Sequence, residues 1–205
     1  MPTEIDKEKI KRSVWMGAPM PMVTIFKTLD VTGIIKTAKR TGAGFTALMC
    51  WCVGRAASGM EEFYILPVGD KLLKYEKLAV NVVVKTKNGI ATCDIPFNGN
   101  LKKFCRDYGR LTESVIKSGQ DYELGGEYMV IGTSALPKHD IDGAANIYAG
   151  FYNNPFLIWG RYRKGLFKTT LPVSFQFHHS QFDGEEAAEF LDKLQRVIKG
   201  IKTKY

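Results

Sequence analysis

The stretch SFQFHHSQFDGEEAAEF, residues 174–190, joins a strand pattern to a helix pattern and decides how the rest of the chain is interpreted. Before the histidines, Val173, Phe175 and Phe177 alternate with Ser174 and Gln176. A period of two is typical of a β-strand with one apolar and one polar face. The chain has only three histidines, and two of them stand together at the end of this strand.

The adjacent histidines, His178 and His179, are expected to point in opposite directions, because neighbouring side chains of a strand alternate. His179 continues the apolar face, and His178 continues the polar face. A histidine at a strand end lies where catalytic groups often emerge from a scaffold. Partial loss of solvent there favours the neutral imidazole, which can accept a proton near neutral pH. His179 is therefore a candidate general base, although the spacing alone favours two histidines that merely end a strand, because His-x-x-x-Asp is short and common.

Asp183 has a structural interpretation. It precedes Gly184 and Glu185, and Glu186 occupies the third position of the helix that follows. This spacing predicts an N-cap in an arrangement like a capping box. A carboxylate at this position also complements the positive end of the helix dipole.

Outward from this stretch, helical spacing alternates with strand patterns along the chain. The predicted helices are DVTGIIKTAKR (30–40), which Asp30 or Thr32 can cap, GFTALMCWCVGRAASG (44–59), NLKKFCRDYGRLTESVIKSG (100–119) and GEEAAEFLDKLQRVIKGI (184–201). The predicted strands are a hairpin around Gly69–Asp70, the run Val80–Val84, EYMVIGTSALP (127–137) and two strands within 155–179 that join near Lys164–Gly165. This order predicts an α/β fold, a two-layer sandwich with a mixed β-sheet flanked by helices. No linker, repeat or low-complexity tract divides residues 1–205, so one domain is expected.

Composition narrows the possible partners. A net charge of +8 favours anionic molecules such as coenzyme A or nucleic acid. The basic residues are scattered and lack a nucleic-acid motif, so no nucleic-acid partner is predicted. No apolar run approaches the roughly 20 residues that span a bilayer, so no membrane partner is predicted. The charged start of the chain lacks the apolar core of a signal peptide, and the default location is the cytoplasm.

The cysteines predict neither a metal site nor a disulfide framework. No pair has the C-x-x-C spacing of a zinc or redox site, and free, mostly buried thiols are expected. The four residues are Cys50, Cys52, Cys93 and Cys105.

The string FHHSQFDG, with the pattern His-His-x-x-x-Asp-Gly before a C-terminal helix, resembles the active-site signature of chloramphenicol acetyltransferases and their relatives. Other segments follow in the order of that family and extend the resemblance from about Leu29 to Gln195. They are LDVTGIIKTAKR, FTALMCWCVGRAASGMEEF, GTSALP and NPFLIWGRY.

The resemblance implies a compact homotrimer that transfers an acetyl group from acetyl-CoA to a small-molecule hydroxyl, with sites between subunits and no metal. His179 matches the catalytic base of the family. Asp183 matches an architectural aspartate that pairs with an arginine, for which Lys11 or Arg12 is the candidate here. The resemblance also implies that MGAPMPMVTIF (16–26) lines an apolar acceptor pocket and that antibiotic resistance is a possible role.

One departure from the family leaves two alternatives open. Relatives that acetylate chloramphenicol carry a serine that assists the oxyanion, and its position falls between Ile141 and Gly143 here. No Ser or Thr occurs between Lys138 and Gly150, and the loss of one such donor can cost roughly 3 to 4 kcal/mol of transition-state stabilisation. His139 is a possible substitute, although an ordinary loop residue is the simpler interpretation. The chain is therefore either an active acetyltransferase or a member that binds coenzyme A or a small ligand without efficient turnover. A dihydrolipoyl acyltransferase shares the signature and is a further possibility.

Overall fold

A mixed seven-stranded sheet forms the centre of the fold. The computed structural model describes residues 1–6, 10–148, 150 and 152–201, without the side chains of residues 11 and 12. The strands within these ranges are β1 Thr3–Ile5, β2 Met22–Asp30, β3 Ile65–Val68, β4 Lys71–Lys74, β5 Lys77–Thr86, β6 Gly89–Pro96, β7 Tyr128–Ala135, β8 Phe156–Trp159, β9 Arg163–Lys164 and β10 Thr169–His178.

Helices of ten to eighteen residues pack with this sheet. They are α1 Thr32–Thr41, α2 Phe45–Ala57, α3 Leu101–Ser118 and α4 Gly184–Gly200, with short 3-10 helices at Lys11–Gly17 and Glu61–Tyr64. No helix in the described ranges is long and apolar enough to cross a bilayer.

The main sheet has the order β2-β10-β8-β7-β5-β6, and β9 adds to β10 at one end. The pairs β5/β7 and β7/β8 are parallel, and the other pairs are antiparallel. β1, β4 and β3 form a separate antiparallel sheet. The arrangement confirms the predicted two-layer sandwich with a mixed sheet.

Most predicted elements are confirmed, including the hairpin around Gly69–Asp70 and all four helices. Two strands of the main sheet were not predicted from periodicity, β2 and β6. β6 begins at Gly89 and ends at Pro96, residues that usually mark turns rather than strands. Its place in the sheet comes instead from antiparallel pairing with β5 along its whole length.

An aromatic cluster fixes the end of β10 against α4. The ring of Phe175 lies 4.7 Å from that of Phe190, and Phe182 lies 4.8 Å from Phe63, measured between ring centres. All four side chains are fully buried. Because burial of one such side chain contributes about 1.5 to 3 kcal/mol, the cluster holds the strand, the turn after it and the helix as one packed unit.

The polar face of β10 is also buried. The hydroxyl oxygen of Ser174 accepts a hydrogen bond from the backbone N–H of Ala144 at 2.8 Å. The side-chain amide of Gln176 donates to the carbonyl of Asn146 at 3.1 Å. The segment after β7 therefore covers this face, so its polar residues bind backbone groups rather than water.

His178 belongs to this covered face. Its side chain is 2% exposed, and its Nδ1 accepts a hydrogen bond from the backbone N–H of Ser180 at 3.0 Å. Burial, and secondarily the neighbouring His179, lowers the pKa of the His178 imidazole to about 4. His178 is therefore a neutral core histidine, which agrees with its predicted structural role.

Asp183 caps α4 as predicted. Its carboxylate accepts a hydrogen bond from the backbone N–H of Glu186 at 2.9 Å, and the Glu186 carboxylate accepts one from the backbone N–H of Asp183 at 3.0 Å. These reciprocal bonds form a complete capping box. The cap fixes where the turn after β10 ends and the helix begins.

We predict that His178 makes the protein less stable in mild acid. The unfolded imidazole, with a pKa near 6.5, binds a proton that the folded imidazole rejects until about pH 4. The contribution of neutral His178 to the free energy of unfolding is therefore complete above about pH 6.5 and is lost as the pH falls towards 4. The loss is about 2 kcal/mol between pH 7.5 and pH 5. Urea unfolding of wild type, His178→Gln and the exposed-loop control His139→Gln measures this loss. It should shrink only in His178→Gln, and equal losses in all three proteins would contradict the assignment.

We predict that Asp183→Ala lowers the free energy of unfolding by about 1 to 2 kcal/mol, because the first turn of α4 loses its capping oxygen. Asp183→Asn keeps an oxygen that can cap and removes the charge, so it should lie closer to wild type than the alanine variant. Urea unfolding followed by circular dichroism compares the three proteins. An alanine variant as stable as wild type would show that the cap does not hold the turn.

Candidate active site

His179 lies at the first position after β10, where the sheet ladder is still partly formed. Its backbone N–H donates to the carbonyl of Pro21 at 2.8 Å. This bond continues the pairing of β10 with β2 one step beyond the His178–Met22 pair. The sheet therefore holds the backbone of His179, whereas the half-buried side chain lies just beyond the end of the strand.

A single hydrogen bond sets the tautomer of the His179 ring. Its Nδ1 lies 3.0 Å from the carbonyl oxygen of Phe182. A carbonyl can only accept, so Nδ1 carries the proton and donates it. In the neutral ring Nε2 then keeps its lone pair and can accept a proton.

The two histidines adopt opposite tautomers. His178 accepts at Nδ1 from a backbone N–H, so its neutral ring carries the proton on Nε2. His179 donates at Nδ1 to a backbone carbonyl. The adjacent rings therefore have separate partners and separate chemistry, in line with the prediction that they do not act together.

An aromatic ring covers the His179 imidazole. Trp15, in the 3-10 helix before β2, stacks on it with ring centres 5.0 Å apart and planes 20° from parallel. Trp15 is 44% exposed, and Val14 and Met20 beside it in sequence are more exposed still. Trp15 contacts His179 through its ring, and Pro21 contacts it through its backbone carbonyl. Pro21 belongs to the segment 16–26 that is predicted to line an acceptor pocket, and Trp15 directly precedes that segment.

The turn between His179 and α4 links the base to the helix cap. Phe182, whose carbonyl orients the imidazole, is the residue before the cap Asp183. Its ring is fully buried in the aromatic cluster. The side chains of Lys11 and Arg12, expected to pair with Asp183, lie outside the described residues, so that pairing stays a prediction.

The segment that lacks the serine of the family is held in place by Arg163. The guanidinium of Arg163 binds Asp140 and Asp142 at 2.7 and 2.8 Å. A Cβ atom added at Gly143 would lie 2.4 Å from Cδ1 of Phe26 and 3.1 Å from Oγ of Ser174. A serine at Gly143 would therefore require the Phe26 ring to move.

The other residues considered for this segment have backbone roles. The N–H of His139 donates to the carbonyl of Leu136, and its own carbonyl accepts from Arg161 at 2.7 Å. Ile141 packs against Gly160, where an added Cβ would lie 2.6 Å from its Cγ1. The side chain of His139 is exposed, as expected of a loop residue.

A second aromatic pair lies at the start of α2 and could hold a cofactor. The rings of Phe45 and Tyr162 are 5.4 Å apart, and both residues are partly exposed. Arg161 beside them is exposed. The N-cap of α2 is Gly44, which has no side chain to occupy the first N–H groups of the helix. Aromatic faces, a guanidinium and open helical N–H groups together suit a nucleotide with phosphates.

Sequence reasoning missed the contacts of Trp15, Pro21 and Phe182 with His179. No role is predicted for Trp15 from the sequence. Its position ahead of a strand in an apolar segment was the available signal, but stacking across the fold is not encoded in local spacing.

Comparison with known proteins adds independent evidence. The chloramphenicol acetyltransferase family model matches residues 20–195. Chloramphenicol acetyltransferase 2 of Escherichia coli is 24% identical over 178 residues, which is 84% of each chain.

Solved structures share the fold. A chloramphenicol acetyltransferase superposes with a TM-score of 0.79 at 20% identity, covering 97% of this chain and 100% of the other. A probable dihydrolipoamide acetyltransferase from Listeria monocytogenes superposes with a TM-score of 0.73 at 14% identity, covering 98% and 96%. The family match spans most of the chain, including the strand, turn and helix that hold His179. The chain therefore belongs to the chloramphenicol acetyltransferase family and is an acyltransferase of that family.

Proposed function

We propose that the protein transfers an acetyl group from acetyl-CoA to a hydroxyl group of a small molecule, with His179 as the general base. The hydrogen bond from Nδ1 of His179 to the Phe182 carbonyl is the observation that carries this proposal. It leaves Nε2 of the neutral ring as the proton acceptor. Asp183 supports the site by fixing the turn rather than by taking part in the reaction.

The reaction follows from this arrangement. Nε2 of His179 removes the hydroxyl proton as the acceptor oxygen attacks the thioester carbonyl. The tetrahedral intermediate then collapses, the carbon–sulfur bond breaks, and the imidazolium returns the proton to the departing thiolate. The products are the acetyl ester and free coenzyme A, and no acyl-enzyme forms. A positioned base of this kind contributes about 10² to 10⁴-fold in rate.

Trp15 supports this chemistry through the orientation of the ring. A stacked indole restricts rotation of the imidazole about its side-chain bonds, while the Phe182 carbonyl fixes which nitrogen carries the proton. A general base needs a fixed direction and an unprotonated acceptor atom, and these two contacts together supply both. The exposed apolar side chains beside Trp15 favour an acceptor with apolar character.

We propose that acetyl-CoA binds as co-substrate along the surface that carries Phe45, Arg161 and Tyr162. An adenine ring suits the aromatic pair, and phosphates suit the guanidinium and the N-terminus of α2. The net charge of +8 would attract this anionic molecule from a distance.

The proposal also covers assembly and context. We infer a homotrimer with sites between subunits, because His179 and the exposed apolar segment beside it need a second wall to exclude water. The chain is proposed to act as one domain in the cytoplasm, where its thiols stay reduced. Chloramphenicol is a candidate acceptor, and resistance to it a candidate role.

A member that binds ligand without efficient turnover is the second candidate. The observation that favours it is the packing of Phe26 over Gly143, which would have to change to admit a side chain at that position. Dihydrolipoamide is a separate possible acceptor, favoured by the shared fold alone.

We predict that the purified protein releases free thiol from acetyl-CoA when supplied with a hydroxyl acceptor from a panel that includes chloramphenicol. His179→Gln should lower the turnover number by about 10² to 10⁴-fold, because it removes the proton acceptor. Coenzyme A binding, measured by calorimetry, and the unfolding midpoint should stay close to wild type.

His139→Gln is the matched control, because it removes an exposed histidine outside the site and should leave turnover unchanged. Dihydrolipoamide in the same panel separates the two acyltransferase classes. Coenzyme A binding without thiol release from any acceptor would favour the binding-only candidate. A His179→Gln variant that turns over like wild type would exclude the proposed base.

A further inference from the structure

Two large apolar side chains stand fully outside the fold at the tip of the β9–β10 hairpin. Leu166 is 96% exposed and Phe167 is 95% exposed. Lys164 pairs with Thr169 across the hairpin, and the N–H of Gly165 donates to the carbonyl of Lys168 at 2.9 Å. The two apolar residues therefore form the turn itself.

The sequence of this turn conflicts with its position. Turns of this length favour Asn, Asp and Gly, whereas Leu and Phe are residues that proteins usually bury. Exposed apolar residues in a turn that usually carries polar ones, with no gain in folding stability, indicate an interaction surface.

The tip projects from a fixed base. The N–H of Val31 donates to the carbonyl of Thr169 at 2.8 Å, and the N–H of Thr169 donates to Oγ1 of Thr32 at 2.9 Å. These bonds tie the hairpin to the start of α1. The exposure of Leu166 and Phe167 thus comes from an anchored hairpin rather than from a fraying end.

Two lysines flank the tip. Lys164 and Lys168 flank it and are exposed, and neither forms an ion pair with another described residue. Lys199 at the end of α4 lies close enough that it and Lys168 both help to lower the pKa of Asp30, after the larger effect of the Thr32 hydrogen bond. The tip is therefore apolar and is flanked by two exposed lysines that form no ion pair with another described residue.

We propose that the Leu166–Phe167 turn docks on the surface of an anionic phospholipid bilayer. The two apolar side chains enter the boundary between headgroups and acyl chains, and the flanking lysines contact lipid phosphates. This contact needs no membrane span, so it revises the prediction of no membrane partner, which rested on the absence of one. In a cyclic trimer, the three tips would lie at the same height along the axis and act together.

The lysines favour a lipid surface over a second copy of the chain. In a buried subunit contact, unpaired charges around an apolar pair are costly. At a bilayer the same charges stay hydrated and face phosphates.

Sedimentation with sucrose-loaded vesicles tests the proposal on the whole protein. Vesicles of phosphatidylcholine with phosphatidylglycerol should bind it, vesicles of phosphatidylcholine alone should bind it weakly, and high salt should weaken binding to the anionic vesicles. The double variant Leu166→Ser/Phe167→Ser should bind about tenfold more weakly than wild type. Lys164→Gln/Lys168→Gln should lose the preference for phosphatidylglycerol.

Ile90→Ser is the matched control, because Ile90 is 77% exposed on β6, at the other edge of the sheet, and also has lysines nearby in sequence. It should bind vesicles like wild type. The proposal is overturned if wild type does not bind, if the double serine variant binds equally well, or if Ile90→Ser loses as much binding. A double serine variant with a changed mass by light scattering would assign the tip to a subunit contact and overturn it as well. Thiol release without vesicles should be unchanged in the double serine variant. The proposals of acetyl transfer and of membrane docking are therefore tested independently of each other.

Discussion

The hydrogen bond from Nδ1 of His179 to the carbonyl of Phe182 is the constraint on which the proposed chemistry depends. It lies within the five-residue turn between β10 and α4. The sheet holds one end through the Pro21 carbonyl, and the Asp183 capping box holds the other. The cap lies four residues after His179 in sequence, whereas Pro21 comes from the segment before β2, so local sequence and sheet pairing together hold the tautomer that the base requires.

The two faces of β10 hold this site through different contacts. The aromatic cluster around Phe175 fixes the strand to α4, while hydrogen bonds from Ser174 and Gln176 fix the segment after β7 on the opposite face. That segment is the one in which the serine expected from the resemblance is absent. Phe26 packs over Gly143, so a side chain at that position would require the Phe26 ring to move.

The sequence predicted the elements whose signals are local. The alternation in β10, the cap at Asp183 and the helical spacing of α4 could all be predicted, because strand and helix periods and capping residues act over a few positions. Trp15 could not be placed on His179 in the same way, since their contact joins residues far apart in sequence. β6 was missed because pairing with β5, rather than its own composition, makes it a strand.

The most direct test of the account is the protonation pattern of the imidazoles in protein labelled with ¹⁵N-histidine. The chain has three histidines, so substitution of each in turn assigns the nuclear magnetic resonance signals. In the neutral ring of His179 we expect a proton on Nδ1 and an unprotonated Nε2, with the opposite tautomer in the neutral ring of His178. A proton on Nε2 of His179 in the neutral ring would contradict it, because that atom could not then take a proton from an acceptor hydroxyl.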